Sequence, residues 1–316
     1  MKSFNRLIKK FDRFQRSHKI TAYIYAVLKK YGEDSGGYQA ALLTYYGFLS
    51  LFPLLLIATS ALQILLHSRP DIQQDIIKYL TQYFPANLSD QLISNINNYH
   101  GASFAIIVSV LIILWGAKGI ADVFQYSLNH LWYVPRFERP GFPKGPLRSL
   151  SIILIGGIGF AAAAFLSGQA ASLDKTFGSR ILWGLTIVAI LFCVFWVLLK
   201  MGLAPAAKAG NRALFLTSLS AAVGIAILQV LGGYLVTHQL NKLKLLYGTF
   251  AVTLGLLFWI YLQARLFMYA VEVGVIYEKK LWPRSLDNNS LTAADHRARN
   301  ELARKESFIL PEKPDN

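Results

Sequence analysis

Runs of 18 or more apolar residues recur along this 316-residue chain, and each is long enough to cross the roughly 30 Å hydrocarbon layer of a bilayer as an α-helix. The chain is 54% hydrophobic with a mean hydropathy of +0.39. Soluble domains average about 45–50% apolar residues, and here the excess is gathered into blocks rather than spread. The strands of a membrane β-barrel alternate over about ten residues, and these blocks do not alternate. The pattern predicts an all-α, polytopic membrane bundle with six transmembrane helices, over 40–66, 102–120, 150–172, 181–199, 213–236 and 249–276.

The formal charge of +15 would suggest nucleic acid as a partner in a soluble protein, but its distribution follows the spans. Of the 32 Lys and Arg, 24 lie before residue 40, in 135–148, at Lys200, Lys208 and Arg212, or after residue 276. Six lie in the alternate loops, and Lys118 and Arg265 lie inside spans. By the positive-inside rule both termini are expected in the cytoplasm. The first apolar run begins near Ala40, after a long basic segment, which suits an uncleaved first span better than a secretory leader. Cys193 is the only cysteine, so one chain can form neither a disulfide nor a thiolate metal site.

Three regions follow. Residues 1–36 form a basic amphipathic interfacial segment, with Phe4, Leu7, Ile8, Phe11 and Phe14 at helical spacing and Lys9, Lys10, Arg13 and Arg16 on the other side. Such a helix lies on anionic headgroups. Its aromatic residues align on the apolar side, so they are not free to stack on RNA bases. Residues 37–280 form the transmembrane domain, and 281–316 a polar cytoplasmic tail expected to be disordered or weakly helical. Pro53 is expected to kink the first span, because it removes a hydrogen bond to the Leu49 carbonyl. Gly159, Ala163, Ser167 and Ala171, and later Ser218, Ala222 and Ala226, put small residues on one face, which predicts close helix packing. GGIG at 156–159 lies in an apolar run with no preceding strand, so it is no nucleotide loop.

The spans carry few charges, and a full charge in hydrocarbon costs at least about 2.5–3.5 kcal/mol. Arg265 and Glu272 are seven residues apart and share one helix face. Lys118, Asp122, Gln125 and Asn129 form a polar stripe at the end of the second span. Lys118 and Arg265 each fall 16 residues after their expected span starts, hence at matching depth in the cytoplasmic half. These positions suggest one cluster of Lys118, Asp122, Arg265 and Glu272, with Gln125 and Gln229 as polar additions. The alternative is that the two cations snorkel separately to the headgroups.

The stretch GYQAALLTYYGFLSLFPLLL at 37–56 resembles the first-helix signature of the YihY/virulence factor BrkB family. Further resemblances are LNHLW at 128–132, the lone Pro205 in a connection, and YGTFA at 247–251 before a helix with an Ala-Val-Glu step at Glu272. The resemblance covers about Tyr31 to Lys280. It implies a bacterial inner-membrane protein of six spans with cytoplasmic termini. The family has carried a ribonuclease BN label, and some members are discussed as lipid or envelope-component transporters; no catalytic site comes with the resemblance. Against the family pattern Arg265 is an addition, and Gln229 stands where Glu is common.

The histidines, at 18, 67, 100, 130, 238 and 296, fall on both sides of the membrane and form no HxxxH pair. The expectation is therefore no enzyme, no metal and no cofactor, with membrane lipids as partners and no nucleic acid. The leading function is transport or flipping of a lipid or other anionic amphiphile, with Arg265, Lys118, Glu272, Asp122, Gln125 and Gln229 as candidate substrate-binding residues. The alternative is a non-transporting scaffold for envelope assembly.

Overall fold

A computed structural model of the chain describes residues 12–65, 118–172, 177–247, 249–286 and 291–306, and every regular element among them is helical. After a short helical segment over 12–17 come α1 (Lys19–Glu33), α2 (Gly36–Leu65), α3 (118–131), α4 (Lys144–Ser172), α5 (Phe177–Gly202), α6 (Asn211–Tyr247), α7 (Thr249–Lys279) and α8 (Ala293–Glu306). The expected interfacial positions before Asp12, the loop 67–101 and most of the span 102–120 lie outside the described residues.

Four helices among the described residues are long and apolar enough to cross a bilayer: Lys144–Ala163, Ile181–Gly202, Asn211–Gln229 and Thr253–Lys279. Their outward faces are those of a membrane protein. On α6, Phe215, Leu219, Val223, Ile227 and Leu231 recur every fourth residue and all are exposed. A soluble monomer rarely presents so long a contiguous apolar stripe. The span expected at 40–66 falls on α2, which continues as helix on both sides of Pro53.

Helix α7 is the centre of the bundle. Its largest interface is with α6, and it also packs on α2 and α1, while α5 joins α4 to α6. Small residues set these approaches, as their spacing predicts. A Cβ added to Gly159 on α4 would lie 2.4 Å from Val194 of α5, and Ala163 one turn on is buried. At Gly274 on α7 an added Cβ would come within 1.9 Å of Thr217 Oγ1 and 2.8 Å of the Ala213 carbonyl oxygen. Backbone cannot yield as a flexible side chain can. Gly274→Ala is therefore expected to destabilise the α6–α7 pair by about 1–3 kcal/mol, the usual range for overpacking. A lowered melting temperature in detergent would register it, and an unchanged one would refute it.

The tail differs from its expectation. Residues 293–306 form a helix that folds back on α1 and the end of α7, held by side-chain bonds to Lys29, Lys279 and Arg284. Its start is capped reciprocally, with Asp295 N donating to Thr292 Oγ1 at 3.2 Å and Thr292 N to Asp295 Oδ2 at 3.0 Å. This is a capping box, written in the sequence as Thr-Ala-Ala-Asp at 292–295 within a highly charged segment.

Candidate functional site

Lys30 lies in the last turn of α1, where the chain turns back to start α2. Ser35 takes a left-handed conformation there, at φ 55°, and Gly36 follows. A Cβ at Gly36 would meet the Tyr31 ring at 2.4 Å, so only glycine lets that ring lie across the turn. With α1 anchored this way, Lys30 points into the bundle and is wholly buried. Its Nζ donates to Asp34 Oδ2 and Glu272 Oε2, both at 2.5 Å, and to the Leu131 carbonyl at 3.0 Å. These three bonds use all the ammonium donors. The Tyr133 ring lies 4.5 Å from the same nitrogen.

The network continues into α8. Lys305 Nζ donates to Asp34 Oδ1 at 3.1 Å, and His130 Nε2 lies 3.4 Å away. Lys30, Lys305, Asp34 and Glu272 thus balance two positive charges with two negative ones. Burial alone would push the Lys30 pKa down, but Asp34 and Glu272 outweigh it and hold the group above its usual range. Burial, reinforced by the Lys305 charge, lowers His130 to about 4, so its imidazole is neutral at pH 7.

The LNHLW stretch now has a physical role. Asn129 Nδ2 donates to the Gly202 carbonyl at 3.0 Å and its Oδ1 accepts from Ala204 N at 2.8 Å, which fixes α3 to the end of α5. Leu131 supplies the carbonyl beneath Lys30. A second network stands beside the first. Arg284, just beyond α7, bonds Asp295 at 2.6 Å and both oxygens of Glu33 at 2.7 and 2.8 Å, while Lys29 reaches Asp295 at 3.0 Å.

The residues singled out from the sequence do not form the single cluster expected of them. Glu272 belongs to the Lys30 network. Lys118 and Asp122 pair with each other at 2.5 Å, one turn apart on α3, with side chains 39% and 44% exposed. Ser149 of α4 donates to Asp122 and accepts from Gln125 Nε2 at 2.8 Å. The α3 polar stripe therefore faces α4 and α5, not α7, and that helix rotation is why the matched depth of Lys118 and Arg265 brings no contact. Gln229 is exposed on α6.

Arg265 lies midway along the apolar span Thr253–Lys279. It is exposed, and no carboxylate pairs with it among the described residues. Its guanidinium carbon is 5.9 Å from the centroids of both Tyr31 and Tyr269, whose rings stack 3.9 Å apart. Lys30, Asp34, His130, Tyr133 and Lys305 were missed because they lie outside the apolar runs. The one local signal was the Lys30–Asp34 spacing of four.

These features define an all-helical integral membrane protein with ion networks closing one end of its bundle. The chain belongs to the virulence factor BrkB family, whose profile matches residues 27–293. It is 25% identical over 282 residues to the putative ribonuclease-like protein YfkH of Bacillus subtilis (strain 168), covering 82% of this chain and 96% of that one. It is 24% identical to a UPF0761 membrane protein of Psychrobacter sp. (strain PRwf-1), over 80% of this chain and 48% of the relative. A UPF0761 membrane protein of Acinetobacter baylyi is also 24% identical, over 80% of this chain and 61% of its own length. The chain thus spans about half to three-fifths of these two longer relatives. No solved structure matches it. The ribonuclease-like wording in the Bacillus name is a dated label and shows no catalysis.

Proposed function

We propose that this is a non-enzymatic, multi-pass protein of the bacterial inner membrane, with six spans and cytoplasmic termini, that moves an anionic amphiphile across the bilayer. The observation that carries this reading is Arg265. A guanidinium midway along a span, with aromatic rings on one side and no paired carboxylate among the described residues, is costly unless water or an anion meets it. A phosphate or carboxylate headgroup supplies such an anion, and the planar fork of Arg binds it with two bonds. The Lys30–Glu272 pair then closes the cytoplasmic end, with α1 as the element that would have to move. Lys118, Asp122, Gln125 and Gln229 remain candidate contacts along the route.

A scaffold is the second reading. The balanced charges of the Lys30 network favour it, because buried, mutually bonded charges hold the elements that carry them in one arrangement. Proteoliposomes holding labelled phosphatidylglycerol and phosphatidylcholine separate the two. Transport predicts that the full chain moves the anionic lipid and that Arg265→Ala slows it by about tenfold or more, the worth of one charge-assisted hydrogen bond. If a broad lipid panel stays in place, or wild type and Arg265→Ala match, the scaffold stands.

A further inference from the structure

A cleft of about 470 Å³ opens where the last turns of α5 and α7 meet the first turns of α6, lined by Trp196, Asn211, Arg212, Phe215, Leu216 and Tyr277. Tyr277 stands five residues beyond Glu272 on α7, but none of the residues lining the cleft belongs to either ion network. Its level is set by three apolar spans at once. Trp196 is six residues before the end of Ile181–Gly202, Asn211 opens Asn211–Gln229, and Tyr277 is two residues before the end of Thr253–Lys279. The cleft therefore straddles the boundary between hydrocarbon and water.

Its wall and rim have opposite character. Phe215, Trp196 and Tyr277 give an aromatic wall, with Phe215 set edge-on to both Phe192 and Trp196. Phe215 also starts the exposed apolar stripe that runs down α6, so the wall is continuous with the face turned to lipid chains. At the rim, Arg212 is exposed and has no ion pair among the described residues, and Lys200 Nζ lies 5.3 Å from the Trp196 ring centroid. One carboxylate, Glu278, stands nearby against Gly210. The two cations outnumber it.

We propose that this cleft is a docking site for one anionic glycerophospholipid, its phosphate held by Arg212 with Lys200 and its first acyl segment laid along Phe215 and Leu216. Arg fits a phosphodiester with paired N–H donors, aromatic side chains suit the headgroup level, and a pocket of this size suits a small amphiphile. Free phosphate shares the charge but leaves the aromatic wall unused. The assignment rests on the membrane placement proposed above and not on transport.

The test uses the purified full chain in detergent, delipidated and then offered phosphatidylglycerol, phosphatidylcholine or inorganic phosphate, with retained molecules counted by native mass spectrometry. Wild type is expected to keep phosphatidylglycerol over phosphatidylcholine. Arg212→Gln should weaken that retention by about tenfold, the loss of one charge-assisted bond, and Arg212→Lys should restore part of it. An unchanged melting temperature for Arg212→Gln shows that the variant is folded, and a second variant, Lys200→Gln, reads the same site from α5. Equal retention by wild type and both Gln variants overturns the proposal, as does displacement of the lipid by millimolar inorganic phosphate. Arg265→Ala is expected to retain the lipid as wild type does, so failure of the transport reading leaves this result separate.

Discussion

Replacing Lys30 with methionine is expected to destabilise the protein by about 3–5 kcal/mol, the cost of leaving a buried charge without its partner. The substitution keeps most of the side-chain volume and removes the ammonium that Asp34 and Glu272 share at 2.5 Å each. Lys305 can still serve Asp34, at 3.1 Å, but Glu272, wholly buried and with its Oε1 already unpartnered among the described residues, loses the Lys30 donor to its Oε2. The sharper measurement is the cycle with Glu272→Met. Exchanging a whole buried pair for apolar residues is often neutral, so the double variant should melt in detergent well above Lys30→Met alone. A Lys30→Met protein as stable as wild type, or a double variant worse than either single one, would remove the pair from any central role. Because the folded state raises the Lys30 pKa, the contribution of the ammonium is complete below its ordinary value of 10.5 and fades only as pH climbs through the folded value.

Asp295→Ala is expected to free α8 from the rest of the molecule. Asp295 accepts from Arg284, Lys29, Ser285 N, Thr292 N and the Thr292 hydroxyl, at 2.6 to 3.0 Å. Its loss strands Arg284, which is 2% exposed, with only Glu33 as a carboxylate partner. A penalty of about 3 kcal/mol raises the undocked population about a hundredfold. Trypsin should then cut at Arg297 and Arg299 on that faster timescale while the membrane domain stays intact. Unchanged cleavage would mean that α8 is held by other contacts. The pH dependence has a definite sign. Burial would raise the Asp295 pKa, but the Thr292 N–H, the Arg284 guanidinium and the Ser285 N–H outweigh it and hold the carboxyl below its usual value. Docking is therefore fully supported above about pH 3.8, the ordinary value for this group, and is lost as pH falls through the folded value.

The parts of the fold legible in the residues are those governed by one helix at a time. The apolar runs at 150–172, 181–199, 213–236 and 249–276 each lie within an observed helix, because length against bilayer thickness is a local property. The close approach at Gly159 and Ala163 was legible for the same reason, since four-residue spacing defines a face. The candidate site was legible only in part. Glu272 and Arg265 stood out as charges in apolar sequence, and the Lys118–Asp122 spacing marked a pair. The partners of Glu272 did not stand out, because Lys30 and Asp34 sit in a basic, polar segment where charges are unremarkable.

The sequence by itself determined that this chain is a membrane helical protein, where four of its long helices run, and which few charges lie within them. Only the tertiary structure decided which charges meet. Helix periodicity fixes the face a residue occupies, but the rotation of one helix against another depends on packing across the whole bundle. That rotation turned Asp122 toward Ser149 instead of Arg265, brought Lys30 from outside the spans onto Glu272, and drew α8 back to complete the network through Lys305.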